Sequence, residues 1–155
     1  MDDVHDVHDG GCACGAVRYR TRGMPEKAAV CHCRYCQLRT GSAFGVSVYF
    51  RDAAVELLSG VLSEYVFRTE SDRAFCQRFC PVCGTTVFWN PEVFPGLTGI
   101  AGGTFDPPSF WYDIRREVFA RSRAAFVSLP GVTDSAETSS SHRPVIVERA
   151  SLAGG

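Results

Sequence analysis

Cysteines are the residues of this 155-residue chain whose spacing most clearly indicates chemistry. Of the eight cysteines, all but Cys76 lie in three short clusters. Thiolates two or three residues apart on a turn can share one zinc ion, which takes four ligands in a tetrahedron. Disulfide bonds are the alternative, but the acidic N-terminus is unlike an export signal, and a reducing compartment such as the cytoplasm keeps thiols free. We therefore predict metal ligation by the clusters, which are Cys12 and Cys14; Cys31, Cys33 and Cys36; and Cys80 and Cys83.

The number of thiols predicts two zinc sites of different kinds. The last cluster, Cys80-Pro81-Val82-Cys83, is a zinc knuckle, which usually shares its ion with a second pair far along the chain. The first cluster fits that role, so these thiolates fill one closed site. The middle cluster offers three thiolates and leaves a fourth position open, as catalytic zinc sites do. Cys76 and His32 are the two residues able to close it. We predict that Cys76 is a packed thiol and that alternation along an extended segment turns His32 away.

Short aromatic and β-branched runs, separated by glycine and proline, predict a mainly β domain with little helix. The segment 43–50 is the strongest predicted strand, and the segments 55–58 and 62–67 flank Ser59-Gly60 as a hairpin. One short helical turn is predicted over 34–40, ending at Gly41, where a left-handed residue is favoured. The other predicted strands cover residues 16–20, 28–30, 86–89, 97–101 and 118–120.

Composition and charge limit the classes of protein to be considered. The chain is 45% apolar, which is enough for one core, and its 16 basic and 17 acidic side chains leave a net charge of -1. That balance argues against a nucleic-acid-binding protein, and no apolar run approaches the ~20 residues of a membrane span. We expect one domain over residues 10–130, preceded by a flexible lead over 1–9. A Ser/Thr-rich, flexible tail is expected over 131–155, with one edge strand at 145–147.

Three ordered cysteine motifs carry a family resemblance, at residues 11–19, 31–44 and 79–85. With later blocks at 102–106 and 119–126, the sequence resembles the glutathione-dependent formaldehyde-activating family, also called centromere-protein-V/formaldehyde-activating, over residues 10–130. The resemblance implies a β-tent fold of curved antiparallel sheets with two zinc ions. It assigns a structural zinc to Cys12, Cys14, Cys80 and Cys83, and a catalytic zinc to Cys31, Cys33 and Cys36.

The activity that the resemblance implies is that of an S-hydroxymethylglutathione synthase, a carbon–sulfur lyase that combines formaldehyde with glutathione. A zinc held by three thiolates suits this chemistry because it keeps a substrate thiol ionised at neutral pH. The carboxylates and backbone of glutathione would be bound beside the open site by Arg34, Arg39, Thr40 and Ser42. The alternative is a non-catalytic, zinc-stabilised binding module, acting as a glutathione carrier or in protein or nucleic-acid interaction. We expect no nucleic-acid partner and no membrane association.

Overall fold

The computed structural model describes residues 6–145, which form two β-sheets. A three-stranded sheet has the order β1-β2-β5, and an eight-stranded sheet has the order β11-β10-β3-β4-β9-β8-β7-β6. The strands are β1 (Val7–Gly11), β2 (Arg18–Arg22), β3 (Lys27–Cys31), β4 (Gly45–Arg51), β5 (Val55–Ser59), β6 (Ser63–Arg68), β7 (Ala74–Phe79), β8 (Thr86–Pro91), β9 (Leu97–Ala101), β10 (Arg116–Val118) and β11 (Asp134–Ser135).

The mainly β fold predicted from the sequence is confirmed, and most strand pairs are antiparallel. The exceptions lie at one edge of the larger sheet, where β10 runs parallel to both β3 and β11. Within residues 6–145 there is one α-helix, α1 (Arg34–Thr40), which has the predicted bounds. It ends at Gly41, whose φ of 63° lies in the left-handed region that glycine adopts without strain. No helix in this part of the chain is long and apolar enough to cross a bilayer.

The hydrophobic core lies between the two sheets, and it fixes which side chains of the larger sheet face away from it. Tyr19 of the small sheet is fully buried and packs edge-to-face on Phe88, with ring centroids 5.1 Å apart. In β4, Val48 and Phe50 belong to this core. Because successive side chains of a strand point to opposite faces, Tyr49 of β4 faces the other side of the sheet. That second side carries the cavity described below.

Two expectations about the strands are wrong. A flexible lead was expected over residues 1–9, yet residues 7–9 belong to β1, which pairs along its whole length with β2. The expected hairpin around Ser59-Gly60 does not form, because β5 pairs with β2 and β6 pairs with β7 in the other sheet. Gly60 has a φ of 89° and lies against the backbone of Ala16, so the chain passes here from one sheet to the other.

Smaller differences concern the second half of the chain. β7 was not anticipated, and the last predicted strand of the domain lies two residues earlier, as β10. It stops at Val118 because Phe119 takes a left-handed conformation with a φ of 55°. The Ser/Thr-rich tail contributes β11, and Val145 lies outside any strand. The rest of the predicted edge strand, residues 146–147, lies outside the described residues.

Candidate metal centres and the adjoining cavity

The first and last cysteine pairs meet in space and form what we call the four-sulfur cluster, and no disulfide joins them. The Sγ atoms of Cys12 and Cys14 are 3.6 Å apart, and those of Cys14 and Cys80 are 3.8 Å apart. A tetrahedral ion with metal–sulfur bonds of ~2.3 Å requires sulfurs about 3.8 Å apart, whereas a disulfide requires ~2.05 Å. The donor set therefore fits zinc. Its members, all with Sγ atoms within 4.8 Å of one another, are Cys12, Cys14, Cys80 and Cys83.

Two tight turns build the four-sulfur cluster and direct backbone amides at its sulfurs. The amide of Val17 donates to Cys12 Sγ at 3.2 Å, and the amide of Val82 donates to Cys80 Sγ at 3.4 Å. Thr85 joins the turns, since its hydroxyl accepts from the amide of Ala13 and lies 3.2 Å from Cys83 Sγ. The hydrogen bond from Thr85 lowers the pKa of Cys83 to about 5, which favours the thiolate that a metal needs.

The middle cysteines form a separate three-sulfur cluster, whose Sγ atoms also lie within 4.8 Å of one another. Cys31 is the last residue of β3, Cys33 caps the N-terminus of α1, and Cys36 lies in the first turn of that helix. The cap is formed by the amide of Cys36, which donates to Cys33 Sγ at 3.5 Å. A strand end followed at once by a helix start thus brings three thiols together within six residues.

Within residues 6–145, no other cysteine, histidine or acidic residue joins this trio. His32 is fully buried, and its Nε2 lies 2.9 Å from the Glu117 carboxylate on β10. Arg123 also hydrogen-bonds to Glu117, and with Ser135 it holds the pKa of that carboxyl at about 2. Cys76 lies in the middle of β7, opposite neighbours on β6 and β8. The trio therefore offers a metal ion three sulfur atoms from within the described residues.

Hydrogen bonds within the three-sulfur cluster, and a nearby positive charge, favour the ionised form of the Cys36 thiol. Hydrogen bonds with the thiols of Cys31 and Cys33, followed by the charge of Arg39, hold the pKa of Cys36 well below its ordinary value. Arg39 Nη2 donates to Cys36 Sγ at 3.5 Å, and its guanidinium stacks 3.8 Å from the ring centroid of Trp89. Gly45 makes this approach feasible, because a Cβ there would lie 2.7 Å from Arg39 Nη2 and 3.3 Å from Cys36 Cβ.

A cavity of about 460 Å³ adjoins the three-sulfur cluster and has all three cysteines in its wall. Tyr49 and Trp89 line it from the larger sheet, and the Trp89 Nε1–H donates to Tyr49 Oη at 3.1 Å. Burial raises the pKa of Tyr49 above its ordinary value, so its phenol stays protonated. The ionisable residues of the wall, apart from the cysteines and the tyrosines Tyr35 and Tyr49, are Glu26, Lys27, Arg39, Glu70, Arg73, Arg116 and His142.

The four predicted glutathione contacts have different surroundings. Arg39 lies on the cavity wall, whereas the other three are not among the wall residues. Arg34 Nη1 donates to Gln37 Oε1 at 3.5 Å. The Thr40 hydroxyl donates to the carbonyl of Cys36 at 2.8 Å and accepts from the amide of Ser42 at 3.1 Å. These bonds hold the end of α1.

Sequence reasoning missed several residues of the cavity wall. Tyr49 could have been found, because the period-two pattern of β4 turns it away from the core face. Trp89 follows the zinc knuckle directly along β8 and was assigned only to a strand. Nothing in the sequence indicated that Glu70, or Ser139 to His142 of the tail, would line the same cavity.

The fold and the two cysteine clusters define a mainly β protein with two groups of thiols that could each hold a metal ion. The model of the family described as "Glutathione-dependent formaldehyde-activating enzyme" matches residues 7–122, and the chain belongs to this family. The crystal structure of a Rhodobacter sphaeroides protein is similar, with a TM-score of 0.53 and 21% identity, covering 68% of this chain and 97% of that one. At that identity the likeness concerns the fold.

Proposed function

We propose that this protein is a zinc-dependent carbon–sulfur lyase of the S-hydroxymethylglutathione synthase type, condensing glutathione or a similar thiol with formaldehyde or another small aldehyde. The observation that carries the proposal is the three-sulfur cluster in the wall of a cavity of about 460 Å³. Cavities of this size accommodate small organic ligands. The cysteines are all free thiols, which supports a reducing compartment, and we assign the protein to the cytoplasm.

The proposal assigns one zinc ion to each cluster. The four-sulfur cluster has no ligand position left and would hold a structural ion. The three-sulfur cluster, Cys31, Cys33 and Cys36, would hold a catalytic ion that keeps the substrate thiol ionised at neutral pH. Arg39 would limit the negative charge of this site through its hydrogen bond to Cys36 Sγ.

Cationic side chains of the wall suit the two carboxylates of glutathione. Arg39 keeps its predicted role, and Lys27 and Arg73 join it, since neither has an ion pair within the described residues. Contacts of Arg34, Thr40 and Ser42 with substrate stay predictions. We propose that Thr40 supports the site indirectly. Its hydroxyl donates to the carbonyl of Cys36 and accepts from the amide of Ser42, and these bonds stabilise the end of α1.

Tyr49 is the residue we propose as proton donor. In the reaction the thiolate sulfur forms a bond to the formaldehyde carbon, and the carbonyl π pair moves onto oxygen. That oxygen then takes a proton from Tyr49 Oη, and the proton lost by the substrate thiol returns to Tyr49 through water. Trp89 Nε1 already donates to Tyr49 Oη, so the phenolic O–H is free to donate elsewhere. Proton transfer from a positioned side chain contributes ~10² or more to a rate.

The first test measures binding and rate separately. Isothermal titration of zinc-loaded protein with glutathione should show binding, and adduct formation from formaldehyde followed by NMR should be faster than without protein. Tyr49→Phe should lower the protein-dependent rate about 100-fold with little change in glutathione affinity. Tyr65→Phe is the matched control, because Tyr65 lies half-exposed on β6 and is not among the cavity wall residues. Glutathione binding without acceleration would contradict the lyase and favour the alternative, a glutathione carrier.

A further inference from the structure

We infer that Glu70 and His142 form a subsite for the cationic amine of the thiol substrate, so that the protein selects thiols carrying an ammonium group. This inference rests on the proposed function and deepens it. Both residues line the cavity that also contains the three cysteines. Glu70 lies in the turn between β6 and β7, and His142 lies in the Ser/Thr-rich tail.

The Glu70 carboxylate is buried and only half satisfied. Its residue is 7% exposed, and Oε1 lies 3.4 Å from His142 Nδ1. Oε2 is shielded from solvent and has no hydrogen-bond partner within the described residues. A buried carboxylate oxygen without a donor costs free energy, because the hydration it loses is not replaced. A ligand N–H at Oε2 would remove that cost.

The surrounding backbone fixes the Glu70 turn against the tail. The amide of Val145 donates to the carbonyl of Glu70 at 2.7 Å, and the amide of Arg143 donates to Ser71 Oγ at 2.8 Å. The ring of His142 packs edge-to-face on Phe119, with centroids 5.2 Å apart. The carboxylate is therefore held in place before a ligand arrives, which lowers the entropy lost on binding.

The unpartnered Oε2 of Glu70 indicates an ammonium group as its ligand. Arg73 and Arg116 line the same cavity, but neither forms an ion pair with Glu70. Within the described residues, no third metal ligand joins Glu70 and His142, so the pair does not make a metal site. An amine is the remaining cation of a small thiol, and in glutathione it is the α-ammonium of the γ-glutamyl residue. His142 and its neighbours lie beyond residues 7–122, so the subsite uses a segment outside the family match.

The experiment compares glutathione with its des-amino analogue, in which hydrogen replaces the ammonium group. Both are titrated into zinc-loaded full-length protein, and the ratio of the two affinities is obtained for each variant. Wild-type protein should prefer glutathione by about ten-fold or more, the effect expected of a hydrogen bond to a charged group. Glu70→Gln should reduce the preference to about two-fold or less. Because the ratio is internal to each preparation, a lower folded fraction does not change it.

Glu26→Gln is the matched control for charge. Glu26 also lines the cavity, but it is exposed and forms an ion pair with Arg51, so this variant should keep the wild-type preference. Equal affinity of wild-type protein for the two thiols, or an unchanged preference in Glu70→Gln, would overturn the subsite and leave the lyase intact. Failure of both thiols to bind the wild-type protein would overturn the proposed function and, with it, the subsite.

Discussion

The four-sulfur and three-sulfur clusters offer a metal the same ligand atom but are supported by the chain in different ways. In the four-sulfur cluster, neighbouring sulfurs belong to turns 66 residues apart, and two of the cysteines are exposed. In the three-sulfur cluster all ligands come from one strand end and the helix that follows. Only this second cluster adjoins the cavity of about 460 Å³.

The difference teaches that the separation of ligands along the chain decides what a metal site can do for the fold. A metal that joins distant turns contributes its binding free energy to folding, because the unfolded chain does not hold the ligands together. A metal held within one short loop constrains little of the chain, and it can instead be exposed to a substrate. Both sites have backbone or side-chain donors at sulfur, so hydrogen bonding alone does not separate them.

The largest expected effect is that of Cys83→Ser. Cys83 is exposed, so serine leaves no cavity, and the loss reflects the metal alone. The proposed structural zinc would be worth ~10 kcal/mol, which is comparable to the whole stability of a typical domain, so weakening it by one ligand should destabilise the fold severely. We expect aggregated protein or loss of the β circular-dichroism spectrum. A folded Cys83→Ser protein that retains two zinc ions by elemental analysis would contradict the structural assignment.

Cys36→Ser should reduce stability less than Cys83→Ser does, but it should abolish function. The fold and the zinc of the four-sulfur cluster should remain, whereas zinc content should fall from about two ions to one and glutathione binding should be lost. The free energy of unfolding should change by about 1–3 kcal/mol, as for ordinary buried substitutions. Elemental analysis, thermal melting and titration check the three quantities. If Cys36→Ser unfolds while Cys83→Ser is tolerated, the two sites are assigned in reverse.

Gly45→Ala tests the support of the three-sulfur cluster without removing a ligand. The new Cβ would displace Arg39 and press on Cys36, so zinc affinity of this site should fall about ten-fold. The zinc of the four-sulfur cluster should be unaffected. Gly131→Ala is the control, since a Cβ there meets no atom within 4 Å and no positive φ is involved. Competition with a chromophoric chelator measures the zinc affinity of each cluster in both variants. Equal zinc affinity of the three-sulfur cluster in Gly45→Ala and Gly131→Ala would show that the contact between Arg39 and Cys36 does not support the site.

Cys76→Ala should have the smallest effect. Cys76 lies on β7 outside both clusters, partly buried, so alanine should retain both zinc ions and cost about 1 kcal/mol. Urea unfolding and elemental analysis of the same preparation check this. Loss of one ion would make Cys76 a ligand and close the site that we treat as open.

The sequence predicted the features that depend on local spacing. The family and the mainly β fold are confirmed, and α1 has the predicted bounds because Gly41 ends it. The cysteines also meet in the predicted groups, since short spacings on turns leave few alternatives. Assigning substrate contacts by nearness in sequence was less informative: Arg39 reaches the cavity, but Thr40, one residue on, is used to end the helix.

The features that were missed depend on contacts between distant segments. Whether β5 pairs with β6 or with β2 is decided by the packing of two sheets, and hairpin spacing does not encode it. Glu70 and His142 are 72 residues apart, so no local spacing brings them together. They meet because the tail lies against the turn that contains Glu70, as the hydrogen bond from the Arg143 amide to Ser71 Oγ shows. Low hydrophobicity in a segment predicts flexibility, yet backbone hydrogen bonds can still order it.

The parallel pairing of β10 with β3 has a consequence for the order in which the sites mature during synthesis. Val118 lies opposite Cys31, and Glu117 holds His32, which stands between Cys31 and Cys33. Cys83, the last cysteine of the four-sulfur cluster, precedes β10 along the chain and therefore emerges from the ribosome before it. We therefore expect nascent chains to acquire the structural ion first, and the loop of the second site to settle only after β10 arrives. A nascent chain would therefore be unable to bind substrate until its fold is almost complete.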